Sequence, residues 1–167
     1  MAKLVTNGTV DVMSVNPVEL VHVHRSRHLP HDPEEVWAVL AGFDRIAEWA
    51  PKVAHSTMTT EQREGIGAAR RVQVGRQALI ETVTIWEPDR TLAYAITGLP
   101  PIVEGVTNRW DLGIDPVGTF VTLTSIIAAG SSPKGKVGAR ALRLPLGKAS
   151  DGMLDGLAAH LAGSAGR

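Results

Sequence analysis

The sequence predicts an α+β domain: a curved, seven-stranded antiparallel sheet wrapped around a long C-terminal helix, with two short helices after the first strand. Three observations predict it. Residues 55–128 read as six successive strands separated by turn residues, with no helical period between them. A helix-start signal, Asp32-Pro33-Glu34-Glu35, follows directly on one earlier strand. The last apolar stripe at helical spacing appears only after the strands have ended. Six strands without crossover helices imply an antiparallel meander, and the terminal helix is the one large element left to cover its apolar face.

Residues 1–18 are weakly patterned and end near the turn-like step Asn16-Pro17, so they read as an arm ahead of a single domain at 19–164. Val21–Leu29 (VHVHRSRHL) is a strand ended by Pro30. Asp32 suits a helix N-cap, Pro33 the first helical position, and Glu35 the third place of a capping box. Val36, Val39, Leu40 and Phe43 then share one helical face until Gly42 interrupts. A second helical turn spans Asp44–Trp49, stopped by Pro51.

The six strands are His55–Thr60, Ala68–Val74, Ala78–Trp86, Leu92–Thr97, Asn108–Ile114 and Phe120–Ala128. Turn residues part them at Glu64-Gly65, Gly75-Arg76, Pro88-Asp89, Gly98–Pro101 and Asp115–Gly118. Pro133–Gly163 is helical again, with Leu146, Met153, Leu154, Leu157 and Leu161 as its apolar stripe. Pro145 and the glycines at 147, 152 and 156 are expected to kink or weaken it.

Lys+Arg and Asp+Glu number 17 each, so no net field draws the chain to nucleic acid or to an anionic membrane. The absence of cysteine removes disulfides, thiolate zinc sites and cysteine nucleophiles, and suits a reducing cytoplasm. With no apolar run of signal-peptide or membrane-spanning length, the expectation is a soluble cytoplasmic protein that does not insert into membranes.

One ordered set of residues resembles a known family. The run Leu29-x-x-x-Pro33-Glu34-Glu35-Val36-Trp37-x-x-Leu40, with Phe43-Asp44-Arg45 and Glu48-Trp49-x-Pro51, opens it. Gly65-x-Gly67, Arg70-Arg71, Glu81-x-Val83-x-x-Trp86-Glu87-Pro88, Leu92-Ala93-Tyr94, Arg109-Trp110 and Thr119-x-Val121-Thr122 continue it. Over about residues 20–163 the chain resembles the SRPBCC superfamily, in the polyketide cyclase/dehydrase and lipid transport branch, which shares the helix-grip fold of START domains and birch-pollen-allergen-like proteins. The resemblance implies a pocket between sheet and terminal helix. It does not imply one reaction, because the scaffold serves cyclases, carriers, receptors and co-chaperones alike. The leading arm and Pro145 are departures from the branch.

Strand alternation places Asn108, Trp110 and Leu112 inward, with Leu92, Tyr94 and Ile96, and with Val121, Leu123 and Ser125. The phase of Leu79, Val83 and Ile85 carries Glu81 inward too. An inward carboxylate needs a partner, Arg70 or Arg71 on the preceding strand, and reads either as a structural ion pair or as an acid–base group. Tyr94 and Asn108 are core polar groups or donors to a ligand carbonyl. His22, His24 and His28 share one face of the first strand, which reads as solvent-facing; in the inverted phase His24 would be a general-base candidate. No carboxylate or cysteine completes a metal set with them, and nothing in the sequence calls for a metal or cofactor.

Trp37 sits beside the apolar helix stripe and reads as core, whereas Trp49 reads as the lip of the pocket. Leu99, in the proline-stiffened loop 98–103, is either tucked onto the core or part of a gate. Trp110, Met153 and Leu157 complete the expected apolar wall, together with Tyr94. Three functions follow. The first is binding of a hydrophobic small molecule of lipid, polyketide or aromatic type. The second is a cyclase, aromatase or dehydratase chemistry using Glu81, Tyr94, Asn108 or His24. The third is a co-chaperone-like interaction module. A free sheet edge also leaves a homodimer open.

Overall fold

The computed structural model describes residues 18–164, so the expected arm falls outside the described residues up to position 17. The seven strands are β1 (Leu20–Leu29), β2 (Val53–Met58), β3 (Ala69–Val74), β4 (Gln77–Glu87), β5 (Thr91–Thr97), β6 (Val103–Asp115) and β7 (Gly118–Ala129). They form one antiparallel sheet in the order β1-β7-β6-β5-β4-β3-β2. The meander runs from β2 to β7, and β1 then joins the far edge by pairing with β7. Helix α1 (Pro33–Ala41) and a 3₁₀ helix (Phe43–Glu48) connect β1 to β2. This is the helix-grip fold that the sequence predicts.

Local chemistry explains the early helices. The Asp32 backbone N–H donates to Glu35 Oε2 at 3.1 Å, the reciprocal half of a capping box, and Pro33 opens the helix. Val36, Trp37 and Leu40 are buried, while the 3₁₀ helix buries Phe43 and Ile46 against β2 and β3. Trp37 meets Trp86 edge to face at 5.1 Å, in the packing role expected of it.

At the C-terminus the single expected helix is two. Helix α2 covers Pro133–Ala141 and α3 covers Arg143–Ser164, meeting at Leu142, whose backbone stays right-handed helical. The cause is Pro145. It has no N–H to donate to the carbonyl of Ala141 four residues back, so α2 ends there and α3 begins with Pro145 in its first turn, where the missing donor costs little. Beyond this point α3 is unbroken.

Two of its glycines are points of close approach: a Cβ at 147 would collide with the Arg25 guanidinium, and one at 156 with the Trp49 carbonyl. Helix α3 therefore lies tight against β1, touching β7 and α1 as well, and buries Leu154, Leu157 and Leu161.

Strand β6 begins at Val103, five residues before the expected start at Asn108. Gly105 and the register shift beside it hide this extension, and they shorten the loop after β5 to residues 98–102. Among the described residues no helix is long and apolar enough to cross a membrane.

Candidate functional site

A chain of four aromatic rings lies over the inner face of the sheet, Tyr94 and Trp110 from strands β5 and β6 and Phe43 and Trp49 from the 3₁₀ helix and its C-cap. Trp49 meets Trp110 edge to face at 5.9 Å, and Phe43 meets Tyr94 edge to face at 5.6 Å. Trp110 and Tyr94 are linked by an indole N–H donated to the phenol oxygen at 3.4 Å. Alternation puts these groups together. Tyr94 on β5 lies opposite Asn108 on β6, Asn108 lies opposite Ser125 on β7, and Trp110 follows Asn108 on the same face. Asn108 Nδ2 donates to the Tyr94 hydroxyl at 3.4 Å, and the Ser125 hydroxyl donates to Asn108 Oδ1 at 2.7 Å.

Beside this cluster lies a buried ion pair. Arg70 Nε and Nη2 both reach Glu81 Oε2 at 2.6 Å, and both residues are buried. The pair is cross-strand, Arg70 on β3 facing Glu81 on β4. The guanidinium also donates to the Phe43 carbonyl and stacks over the Phe43 ring at 3.8 Å and the Tyr94 ring at 5.1 Å. Glu81 is thus inward, with Arg70 and not Arg71 as its partner. Its charge is engaged in holding β3, β4 and the 3₁₀ helix together.

Polar satisfaction is incomplete at three groups. The Tyr94 oxygen accepts from Asn108 and Trp110, and no acceptor for its own hydrogen lies among the described residues. Among the described residues the Trp49 indole N–H is buried without a partner, as is the Ser56 hydroxyl on β2. Burial, then the nearby Glu81 carboxylate, raises the Tyr94 pKa above its ordinary value of 10.0. The phenol is therefore a neutral donor at physiological pH. Two unpaired donors, on Tyr94 and Trp49, flank Trp110 and suit an incoming oxygen atom.

The remaining expected residues divide. Leu157 is fully buried on the inner side of α3, and Met153 is half-buried against the same core. Leu99 packs partly onto the core, and Ile102 in the same loop lies against Gly138 of α2, while the rest of the loop stays exposed. His24 points away from the interior: it and His22 lie exposed on the outer face, stacked at 5.9 Å, and His24 Nδ1 bonds the Thr124 hydroxyl at 3.0 Å. That placement removes His24 from any chemistry beneath α3.

The roomy elongated cavity expected from the sequence also needs qualification. Trp110, Tyr94, Phe43 and Leu157 pack closely there, each fully buried. The opening toward them is a cleft of about 180 Å³ between α1, the 3₁₀ helix and α3, lined by Ala38, Val39, Arg45, Glu48, Trp49 and His160. Trp49 lines this cleft and meets Trp110 edge to face on its inner side. Sequence reasoning missed the polar rim of Arg45, Glu48 and His160, because two elements far apart in the chain, the 3₁₀ helix and α3, bring it together. It also missed Ser56, a short polar residue opposite the buried Val72.

The model of the family described as polyketide cyclase / dehydrase and lipid transport matches residues 21–162. The chain belongs to that family. Its fold is similar to the crystal structure of the Zhui aromatase/cyclase from Streptomyces sp. R1128, with a TM-score of 0.72 and 18% identity over 86% of this chain and 94% of that one. It is similar to the di-domain ARO/CYC StfQ from the steffimycin biosynthetic pathway, with a TM-score of 0.70 and 17% identity over 89% of this chain and 52% of that one. Ara h 8.0201 is a third, with a TM-score of 0.69 and 14% identity over 87% and 99%. At such identities these are likenesses of fold. No curated protein matches the sequence.

Proposed function

We propose that this chain is a binding protein for a mostly apolar small molecule that carries at least one carbonyl-type oxygen, taken up beneath α3 through the cleft at Trp49. One observation carries the reading: among the described residues the buried Tyr94 hydroxyl finds no acceptor for its hydrogen, and one ring away stands a second donor without a partner, Trp49 Nε1. A buried donor without an acceptor costs on the order of 1–3 kcal/mol, which a ligand oxygen would recover on binding. Displacing Trp49 from the edge of Trp110 would open the path, with Leu157 and Met153 as walls.

A cyclase or dehydratase reading rests on the same hydroxyl. A neutral phenol held by Asn108 and Trp110 can stabilise an enolate oxygen as it forms, and the aromatase/cyclases of like fold make that chemistry relevant. Glu81 would then polarise the site through Arg70 and would not itself move a proton. A cytoplasmic location and a unit spanning 19–164 belong to this same proposal.

The test is native mass spectrometry of freshly purified protein, followed by titration with an aromatic polyketone. A co-purified or titrated ligand that Tyr94→Phe releases supports binding through the phenol. Turnover of the polyketone, lost in Tyr94→Phe, selects the enzyme. Neither a ligand nor saturable polyketone binding would overturn both readings.

A further inference from the structure

The balance of 17 cations and 17 anions conceals a strongly uneven distribution. Residues 131–150 contain Lys134, Lys136, Arg140, Arg143 and Lys148 and no Asp or Glu at all. This stretch is α2, Leu142 and the start of α3, and all five cations are exposed. Where the stretch passes the free edge of β1 it encloses an open groove of about 540 Å³, lined by His22, Val23, His24, Arg25, Arg140, Arg143 and Leu144.

The charges around the groove do not cancel. Arg140 bonds Glu19 at 2.9 Å, Lys136 reaches the same carboxylate at 4.0 Å, and Arg25 pairs with Asp151 at 3.0 Å. Arg143 has no ion-pair partner among the described residues. Three arginines line the groove, and with Lys136 beside it four cations are set against two carboxylates, an excess of two positive charges. The groove is also shaped. Gly147 leaves the space that the Arg25 guanidinium occupies, and the 3.0 Å hydrogen bond between His24 Nδ1 and the Thr124 hydroxyl fixes the ring, whose other nitrogen has no hydrogen-bond partner among the described residues. Val23 and the exposed Leu144 supply an apolar wall, and the volume exceeds that of a bare inorganic anion.

We propose that this groove binds the phosphate group of an organic phosphate. A phosphate monoester carries about −1.5 to −2 charges near pH 7, which matches the local excess. Arginine forks take its oxygens in pairs, the imidazoles offer further donors, and Val23 with Leu144 contacts the organic part next to the phosphorus. The site lies on the far side of β1 from the Tyr94 cluster and does not depend on what that cluster does. The phosphate is borne either by a free soluble molecule or by a lipid headgroup.

The experiment titrates the full chain calorimetrically with glycerol 3-phosphate, and separately sediments it with phosphatidylcholine vesicles that contain phosphatidic acid. Saturable binding to glycerol 3-phosphate identifies a soluble ligand. Binding to the vesicles alone identifies a headgroup. In either arm Arg143→Gln is expected to weaken binding about tenfold, the scale of one lost charge-assisted hydrogen bond, and Arg76→Gln on the distant β3–β4 turn to leave it unchanged. Leu144→Glu, at an exposed position that folding does not use, provides the same loss should Arg143→Gln fold poorly. Absence of binding in both arms, or equal loss from Arg76→Gln, overturns the proposal.

Discussion

Arg70 and Glu81 face each other across β3 and β4 with 2.6 Å between guanidinium nitrogen and carboxylate oxygen, buried beneath the 3₁₀ helix. Removing one partner leaves an uncompensated buried charge, so Glu81→Ala is expected to cost about 3–5 kcal/mol of unfolding free energy. Replacing both, as Arg70→Met with Glu81→Leu, should recover most of that loss. A residue of about 1–3 kcal/mol remains, because the Phe43 carbonyl loses its donor. Denaturant melts of the three variants measure this; an unchanged midpoint in Glu81→Ala would mean that the carboxylate is wet.

Tyr94 is the only tyrosine in the chain, which makes its titration directly visible. Phenolate absorbance should appear at about pH 10 in denaturant and only at higher pH in the folded protein, since burial and Glu81 raise its pKa. Above the unfolded value the unfolded state binds fewer protons than the native one. The Tyr94 contribution to stability is therefore constant below about pH 10 and falls above it by up to ~1.4 kcal/mol per pH unit. Tyr94→Phe should flatten that fall. Coincident titration in folded and unfolded protein would contradict the burial.

How far the sequence discloses all this depends on the kind of signal. Strand alternation correctly placed Asn108, Trp110, Tyr94, Glu81 and Ser125 on one face, because a period of two is imposed by backbone geometry whatever the neighbours are. The capping residues at Asp32 and Glu35 were legible for the same local reason. What packing decides was not legible. A glycine in a helix reads as weakness until the Trp49 carbonyl or Arg25 is found lying against it. The unpaired donors of Trp49 and Ser56 are defined by what fails to come near them, and only coordinates record that. Net charge likewise averaged away the basic stretch of α2.

Gly156 supplies a sharp test of close approach. Ordinarily Gly→Ala inside a helix gains about 1 kcal/mol from propensity. At 156 the new methyl would collide with the Trp49 carbonyl and crowd Pro51, both backbone-anchored, so α3 must lift from the 3₁₀ helix. Gly156→Ala is expected to lower the melting temperature, whereas Gly163→Ala, with open space around it, should hold or raise it. A Gly156→Ala protein as stable as the parent would show that α3 is not pinned there.

Trp49 separates the interior from the cleft, and two substitutions distinguish its two contributions. Trp49→Ala removes the ring that covers Trp110, a loss of about 3–5 kcal/mol in stability if the site cannot collapse, and should weaken an apolar fluorescent probe by removing the lip. Trp49→Phe keeps an aromatic edge against Trp110 but deletes the N–H that already lacks a partner, so stability should fall much less. Because that N–H is free to meet a ligand oxygen, Trp49→Phe should weaken a ketone-bearing probe several-fold, within the ~0.5–1.5 kcal/mol of one neutral hydrogen bond, and leave a hydrocarbon probe unaffected. Intrinsic fluorescence melts and parallel probe titrations separate the effects. Equal affinity of the parent and both variants for both probes would place the binding path elsewhere on the molecule.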